Sequence, residues 1–280
     1  MIRCGRVPAA DLPLDQPLIA SPVQTAKRPT VYGILCATIE ELTALKARLD
    51  VEAEPERHGP TRVWRGRFEG RPLVLAQAGI GKVNAAAAAT LLLSLFEAKT
   101  LIFSGVAGGL DPDLPVGALL LADRLAIHDY GVVAQGRLTS TASGQIPLGA
   151  PELESLAPVP PPVAETLARL AEALGPEADG PVRLGGVITA DYFLNCAETR
   201  DSLHARFAAQ AIDMESGAVN QVAEAWGAPL YVIRTLSDLA GEESHVSYPQ
   251  MAQMAAHNSA LAVMALLPLL AAMDGDEARP

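Results

Sequence analysis

The sequence predicts a single α/β domain of three layers, with helices covering both faces of a central mixed, twisted β-sheet. Three observations support this fold class. Short apolar runs alternate with helical segments from Val31 to near the C-terminus, and half of the 280 residues are hydrophobic, which is enough for a large core. Consecutive strands early in the chain indicate that part of the sheet is antiparallel.

The strands are predicted from short runs rich in apolar and β-branched residues. The first is VYGILCA, from Val31 to Ala37, and a hairpin signal at Glu69-Gly70-Arg71 separates the next two. The predicted strands are 31–37, 62–68, 72–79, 101–110, 118–125, 183–190, 209–214 and 229–236.

The helices are predicted from apolar spacing and from composition. In IEELTALKARL, for example, Leu42, Leu45 and Leu49 share a face with Ile39. The predicted helices are 39–49, 82–96, 163–174, 216–227 and 251–273. Around them, we expect residues 1–30 to form an arm outside the core, 31–273 to form the domain with a proline-rich surface connection at 149–162, and 274–280 to form an acidic tail.

Composition excludes several classes of function. The net charge is −11 and there is no basic block, which argues against a nucleic-acid partner. The three cysteines are scattered and the five histidines lack metal-ligand spacing, so we expect free thiols in the cytoplasm and no metal. The apolar run 261–273 is too short to span a bilayer, and the N-terminal region lacks the apolar centre of a signal peptide, so no membrane partner is expected.

Common cofactor and hydrolase motifs do not fit. Gly79-Ile80-Gly81 resembles the start of a dinucleotide fingerprint, but Asn84 stands where glycine or alanine is expected. The chain has no Walker A lysine in its glycine frame, no GxSxG elbow and no HExxH helix. No cofactor is therefore predicted.

Polar residues follow the apolar runs at the strand ends, where ligands bind in sheets of this kind. The stretch AIDMESGAV places Asp213 and Glu215 on either side of Met214 at a strand-to-helix junction. One interpretation is that they cap the helix, whose N-terminus favours anions. The other is that one of them binds a ligand.

Five junctions together point to a family. They resemble, in the same order, the motifs of the 5′-methylthioadenosine/S-adenosylhomocysteine nucleosidases of the nucleoside phosphorylase superfamily, and they read AGIGKVNAAAAATLLL, SGVAGGLDPDLPVG, ITADYFLN, AIDMES and VIRTLSD. The resemblance runs from about Val31 to the final helix. It implies a nucleoside phosphorylase-like fold, a nucleoside substrate, and a homodimer whose active site borrows residues from the partner.

Cleaving a purine N-glycosidic bond requires an acid for the departing base, a carboxylate to activate water, and groups that hold the ribose. By resemblance, Asp238 is the acid, oriented by Ser237 and kept partly protonated by burial. Glu41 activates the water and pairs with Arg234, while Glu215 accepts the ribose hydroxyls. Asp213, on the opposite face of its strand, is expected to be structural. The remaining predicted substrate-binding residues are Ile80, Val106, Gly108, Phe193, Leu194, Met214 and Tyr248.

Some residues depart from the family pattern. Val106 replaces a small hydroxyl residue, and Thr38 and Tyr248 replace apolar residues around the 5′-alkylthio group, so a nucleoside with a more polar 5′ substituent is also considered. A purine nucleoside phosphorylase, a futalosine-type hydrolase and a non-catalytic nucleoside-binding relative are the alternatives. Glu40 and Glu41 argue against the phosphorylase, because they would repel phosphate.

Overall fold

The computed structural model describes residues 30–175, 178 and 180–276. Its helices are α1 (Ile39–Lys46), α2 (Lys82–Ser94), α3 (Pro161–Leu174), α4 (Ala197–Phe207), α5 (Ser216–Trp226) and α6 (Ser244–Asp276). Its strands are β1 (Tyr32–Cys36), β2 (Asp50–Val51), β3 (Glu56–His58), β4 (Thr61–Phe68), β5 (Arg71–Gln77), β6 (Thr100–Gly109), β7 (Leu119–Ile127), β8 (Gly131–Ala134), β9 (Arg137–Ser140), β10 (Ala157–Pro158), β11 (Val182–Thr189), β12 (Ala211–Asp213) and β13 (Leu230–Asp238).

The central sheet is mixed, as the sequence predicts. It contains 11 strands along the path β10-β7-β11-β12-β6-β1-β5-β4-β2, with β3 paired to β4. β1 runs parallel to β5 and β6, whereas β4 is antiparallel to β5. β13 pairs with both β6 and β7, so strands β6, β13, β7, β11 and β12 close into a ring. This closure brings the ends of distant strands together.

Two apolar cores lie on opposite faces of the sheet and complete the three layers. One core packs α2 and α5 against the sheet through residues such as Ala88, Leu92 and Val219. The other packs α1, α3 and α6 through residues such as Leu45 and Leu167. The predicted three-layer α/β/α fold is confirmed.

Local signals explain where several elements end. The β4–β5 hairpin turns at Glu69 and Gly70, both with positive φ, which is the geometry of a two-residue hairpin loop. α5 ends at Gly227, whose φ of 63° places it in the left-handed region that terminates helices. The proline-rich connection leads into β10 and then α3, which has proline in its first turn.

Several elements are absent from the sequence-based prediction. These are α4, the β8–β9 hairpin and the short strands β2 and β3. In α4, AETRDSLHARF, only Phe207 is buried, so the helix shows almost no apolar period.

The last helix is longer than predicted, with 33 residues from Ser244 to Asp276. By length and apolarity alone it would be long enough to cross a membrane, which the prediction based on 261–273 missed. Half of its most apolar window is buried within the protein, and it packs against α1, α3, β6 and β13. Its apolar character is therefore that of a core helix.

The predicted terminal segments lie mostly outside the described residues, which exclude 1–29 of the arm and 277–280 of the tail. α6 continues into the first three residues assigned to the tail. There Asp274 accepts a hydrogen bond of 2.7 Å from the Tyr32 hydroxyl and lies 3.5 Å from Arg71. The helix end is thus attached to β1 and β5.

Candidate active site

A cavity of about 350 Å³ opens where the carboxyl ends of β1, β6, β12 and β13 meet. All of the predicted catalytic and substrate-binding residues line it, namely Glu41, Ile80, Val106, Gly108, Phe193, Leu194, Met214, Glu215, Ser237, Asp238 and Tyr248. The sequence analysis did not include Tyr192, Ala37, Ala107 and Ile212, which also line it. Arg234 lies behind the wall, fully buried.

Glu41 is held by the start of α1. Thr38 is the N-cap of that helix and forms a capping box with Glu41, in which each side chain accepts the other residue's backbone N–H. The Glu41 carboxylate accepts hydrogen bonds from the N–H groups of Ala37 (2.6 Å), Thr38 (3.1 Å) and Val106 (3.1 Å). Glu40 points outward and is exposed. The buried carboxylate therefore has a fixed orientation, with Oε1 still able to accept a second bond.

The two acids of AIDMES have different roles. Asp213 caps α5, since its carboxylate accepts the Ser216 N–H (3.2 Å), and it also accepts the Thr189 hydroxyl (2.6 Å). Glu215 makes no capping bond. Its Oε1 instead accepts the N–H of Gly81 (2.9 Å), and the carboxylate lines the cavity. Capping explains Asp213, and the ligand interpretation is left for Glu215.

The predicted ion pair between Arg234 and Glu41 is wrong. Arg234 Nη2 lies 2.8 Å from Asp213 and 3.6 Å from Glu215, and the guanidinium stacks 4.0 Å from the centre of the Phe103 ring. The physical reason is that the backbone N–H groups already stabilise the Glu41 carboxylate, whereas Asp213 offers the charge that buried Arg234 requires.

Arg234 and Glu41 nevertheless approach the same point. A Cβ added to Gly105 would lie 2.5 Å from Glu41 Oε1 and nearer still to Arg234 Nη1. Within the described residues, Nη1 has no hydrogen-bond partner although it is buried. Gly105 therefore leaves space between an open donor and an open acceptor.

Asp238 ends β13 opposite Gly108, after a bulge in the pairing with β6. Its Oδ2 accepts the Ser237 hydroxyl (2.9 Å) and its Oδ1 accepts the Ala240 N–H (2.9 Å). Both side chains are almost fully buried. Ser237 thus orients the carboxyl in the manner expected from the sequence.

Aromatic side chains cover one side of the cavity. Phe193 and Tyr248 pack edge to face, with ring centres 5.9 Å apart, and Leu194 between the two chain segments is buried. Tyr192 adds a ring whose hydroxyl lies 2.8 Å from Nε2 of His128. The DYF sequence within ITADYFLN could have indicated Tyr192.

A charged cluster supports this aromatic loop. Lys82 Nζ lies 2.5 Å from Asp129 Oδ1 and 3.6 Å from Asp191 Oδ2. Asp129 also accepts the N–H of Asp191 (2.9 Å), and Asp191 accepts the N–H of Lys82 (2.9 Å). The cluster joins the start of α2 to the segments after β7 and β11.

Burial controls the ionisation of several groups here. Burial raises the pKa of Glu215 to about 7, and the Asp213 and Glu41 carboxylates act in the same direction, against Arg234 and the Gly81 N–H. Burial also raises the pKa of Tyr192 and of Tyr248 to about 12, and lowers that of His128 to about 4. His128 is therefore neutral at pH 7.

The described part of the chain contains no group of three or more histidine, cysteine or acidic side chains that could hold a metal ion. The chemistry available to this cavity is that of carboxylates, hydroxyls and backbone N–H groups.

Comparison with known proteins gives consistent results. Residues 31–268 match the model of the phosphorylase superfamily. A 5′-methylthioadenosine/S-adenosylhomocysteine nucleosidase of Mycobacterium bovis is 38% identical over 250 residues, covering 86% of this chain and 98% of that protein.

Solved structures show the same fold. The nucleosidase of Neisseria meningitidis in complex with methylthio-immucillin-A aligns with a TM-score of 0.73 and 29% identity, covering 85% of this chain and 98% of that one. The futalosine hydrolase of Helicobacter pylori aligns with a TM-score of 0.74 and 26% identity, covering 86% and 98%. This chain belongs to the phosphorylase superfamily and, within it, to the 5′-methylthioadenosine/S-adenosylhomocysteine nucleosidase family.

Proposed function

We propose that this protein hydrolyses the N-glycosidic bond of a 5′-modified adenine nucleoside of the 5′-methylthioadenosine/S-adenosylhomocysteine type, releasing adenine and a ribose derivative. The observation that carries the proposal is the convergence of Glu41, Glu215 and Asp238 on one cavity. These residues come from three segments far apart in the sequence. They supply the three functions that cleavage through a ribosyl cation requires.

Asp238 is proposed as the general acid for the departing adenine. Its carboxyl faces the cavity, and its two oxygens are oriented by the Ser237 hydroxyl and the Ala240 N–H. Transfer of its proton to the purine ring neutralises the negative charge that develops on the base as the bond breaks. The aromatic ring of Phe193 on the cavity wall supports placement of the base beside this loop.

Glu41 and Arg234 are proposed to hold the attacking water together. The free acceptor position of Glu41 Oε1 and the unpartnered Nη1 of Arg234 face the space beside Gly105. The carboxylate can accept a water proton while the guanidinium N–H donates to the water oxygen. Arg234 would thus contribute to the site through this donor, with Asp213 balancing its charge.

Glu215 is proposed to bind the ribose hydroxyls, with Met214 beneath the sugar. Only one backbone N–H occupies its Oε1, which leaves acceptor positions open toward the cavity. An ionised carboxylate at the sugar also favours the developing ribosyl cation.

Hydrolysis is favoured over phosphorolysis by the charges at the cavity. Among the described residues that line it, none is lysine or arginine, and four are acidic. A phosphate dianion would be repelled there. A futalosine-type hydrolase is the second candidate, because the Helicobacter pylori futalosine hydrolase has the same fold over nearly its whole length.

The proposal is tested by a substrate panel with and without phosphate. The panel contains 5′-methylthioadenosine, S-adenosylhomocysteine, inosine and futalosine, and free base and sugar products are measured. We expect the two adenine thioethers to be cleaved equally well without phosphate. Strict dependence on phosphate would establish a phosphorylase, and preference for futalosine would establish the second candidate.

A homodimer with the cavity near its interface is also proposed. Exposed apolar side chains occur at the start of α2 and in the region of β8 and the loop after β9, namely Ile80, Val83, Val133, Ile146 and Leu148. The ion pair between Lys82 and Asp129 joins these two regions beside the cavity. An apolar surface of this kind is typical of a subunit interface, and light scattering of the purified chain would measure its mass in solution.

The described cysteines, Cys36 and Cys196, are free thiols. They support the proposal of a reducing, cytoplasmic location, where the enzyme would act in methionine salvage.

A further inference from the structure

A second cavity continues from the active site between α1 and α6. This α1–α6 groove has a volume of about 650 Å³. Tyr248 lines both cavities, and Thr38 of the active site is followed directly by Ile39 and Glu40 of the groove. The groove therefore begins beside the residues expected at the 5′ end of a bound nucleoside.

The groove carries opposite charges at its two ends. Exposed Glu40 lies near Tyr248. Arg48 lies at the far end, where Nη2 is 2.9 Å from one ring nitrogen of His257 and Nη1 is 3.5 Å from the carbonyl of Ala44. The Ala44 contact shows that the guanidinium points back toward Glu40.

Neither charge is neutralised by an ion pair. Within the ranges that the structure describes, the arginines paired with carboxylates are Arg65, Arg71, Arg124, Arg200, Arg206 and Arg234. Arg48 and Glu40 are in no such pair, and four residues, or about 6 Å along the helix, separate Glu40 from Ala44. A short ligand can therefore meet both charges.

We infer that the α1–α6 groove binds the 5′ substituent of the substrate and favours one that ends in a zwitterionic α-amino acid, with Glu40 facing the ammonium group and Arg48 facing the carboxylate. The inference rests on the proposed function, and it adds the part of the substrate that this nucleosidase selects. It gives S-adenosylhomocysteine a recognition site that 5′-methylthioadenosine does not use.

The charge at the entrance favours a zwitterion over a simple anion. Tyr248 is surrounded by the carboxylates of Glu40, Glu41, Glu215 and Asp238, which together with burial keep its hydroxyl neutral. A tail with only a carboxylate would meet this negative potential before it reached Arg48, whereas an ammonium group is attracted at the same place.

The experiment measures kcat/KM for 5′-methylthioadenosine, S-adenosylhomocysteine, and two synthetic thioethers whose tails carry only an amine or only a carboxylate. The variants are Arg48→Gln and Glu40→Gln. Arg65→Gln and Glu224→Gln are the matched controls, since both residues lie outside the two cavities. Each substrate is assayed at low and high salt.

We expect Arg48→Gln to lower kcat/KM about fivefold for S-adenosylhomocysteine and the carboxylate tail, mostly through KM. Glu40→Gln should lower it by a similar factor for S-adenosylhomocysteine and the amine tail. Neither should affect 5′-methylthioadenosine, and high salt should weaken both effects.

The outcomes separate the inference from the proposed function. Equal values for S-adenosylhomocysteine in wild type and both variants, with 5′-methylthioadenosine still cleaved, would overturn the groove and leave the proposed function standing. Equal losses for all four substrates would also overturn it, because the variants would then disturb the catalytic cavity. Failure of the wild type to cleave any adenine thioether would remove both.

Discussion

The two sides of β12 and β13 treat their charges differently. Behind the cavity, Asp213 accepts bonds from Thr189, from the Ser216 backbone and hydroxyl, and from Arg234, so both of its oxygens are fully used. On the cavity side, Glu215 accepts one backbone N–H and lies 3.6 Å from Arg234.

This difference distinguishes structural from reactive acids in one short sequence. A carboxylate whose acceptor positions are all occupied by protein groups fixes the fold, because removing a partner leaves a buried charge uncompensated. A buried carboxylate with open positions facing a cavity is available to substrate. Glu41 and Asp238 belong with Glu215 on the cavity side, and Arg234 connects the two sides.

The largest effect is expected at the cavity side, from Asp238→Asn. Asparagine can still accept the Ala240 N–H and bond to Ser237, but it carries no acidic proton. We expect kcat to fall by about 10³–10⁴, with an unchanged urea midpoint. Binding of an uncleaved adenine nucleoside analogue is the control. Turnover near that of the wild type would remove Asp238 as the acid.

Asp213→Asn tests the other side. It takes the charge partner from fully buried Arg234, so the free energy of unfolding should fall by about 3–5 kcal/mol. The matched control is Asp201→Asn, which breaks an Asp–Arg pair on the surface and should change stability by less than about 1 kcal/mol. Urea denaturation measures both. Similar losses for the two variants would contradict the distinction between the sides.

Gly105→Ala tests the point where the two sides meet. The new methyl group would occupy the space between Glu41 Oε1 and Arg234 Nη1, so water should be excluded and kcat should drop about 10²-fold. Gly275→Ala is the control, since a Cβ there meets no atom within 4 Å. If Gly105→Ala turned over substrate normally, the proposed water position would be wrong.

Much of the fold was accessible from the sequence because its signals are local. The apolar run of β1, the Glu69-Gly70 turn and the Gly227 helix end each depend on a few neighbouring residues. Elements with little burial gave no such signal. α4 buries only Phe207, and in β8 no residue is fully buried.

The candidate site was predicted as a set of residues but not in its pairings. Family motifs placed Glu41, Glu215 and Asp238 correctly at the cavity wall. The partner of Arg234 depends on which carboxylate the backbone already satisfies, which only the folded chain determines. Thr38 did carry a local signal, because Thr-x-x-Glu at the start of a helix is a capping box, and this accounts for a hydroxyl residue at that position.

A pH-dependent effect is expected from Glu215→Gln. The pKa of Glu215 is raised from 4.5 to about 7, so its contribution to stability is present below pH 4.5 and is lost as the pH rises through 7. Glutamine cannot ionise. Relative to the wild type, the variant should therefore gain stability between pH 5 and 8, by on the order of 3 kcal/mol. Denaturation at several pH values measures this gain, and parallel curves for wild type and variant would contradict it.

The smallest effect is expected from Lys82→Met, at the edge of the cavity side. Lys82 lies between the carboxylates of Asp129 and Asp191, so its loss leaves two like charges facing each other beside the loop that carries Phe193. The loop should shift, raising KM about fivefold while kcat changes less, since the catalytic acids are untouched. Lys46→Met, which removes a lysine packed over Trp64 away from the cavity, is the control and should leave both constants unchanged. A fall in kcat with constant KM would mean that Lys82 acts on the reaction itself, and the division between supporting and reacting charges would then extend to the cavity edge.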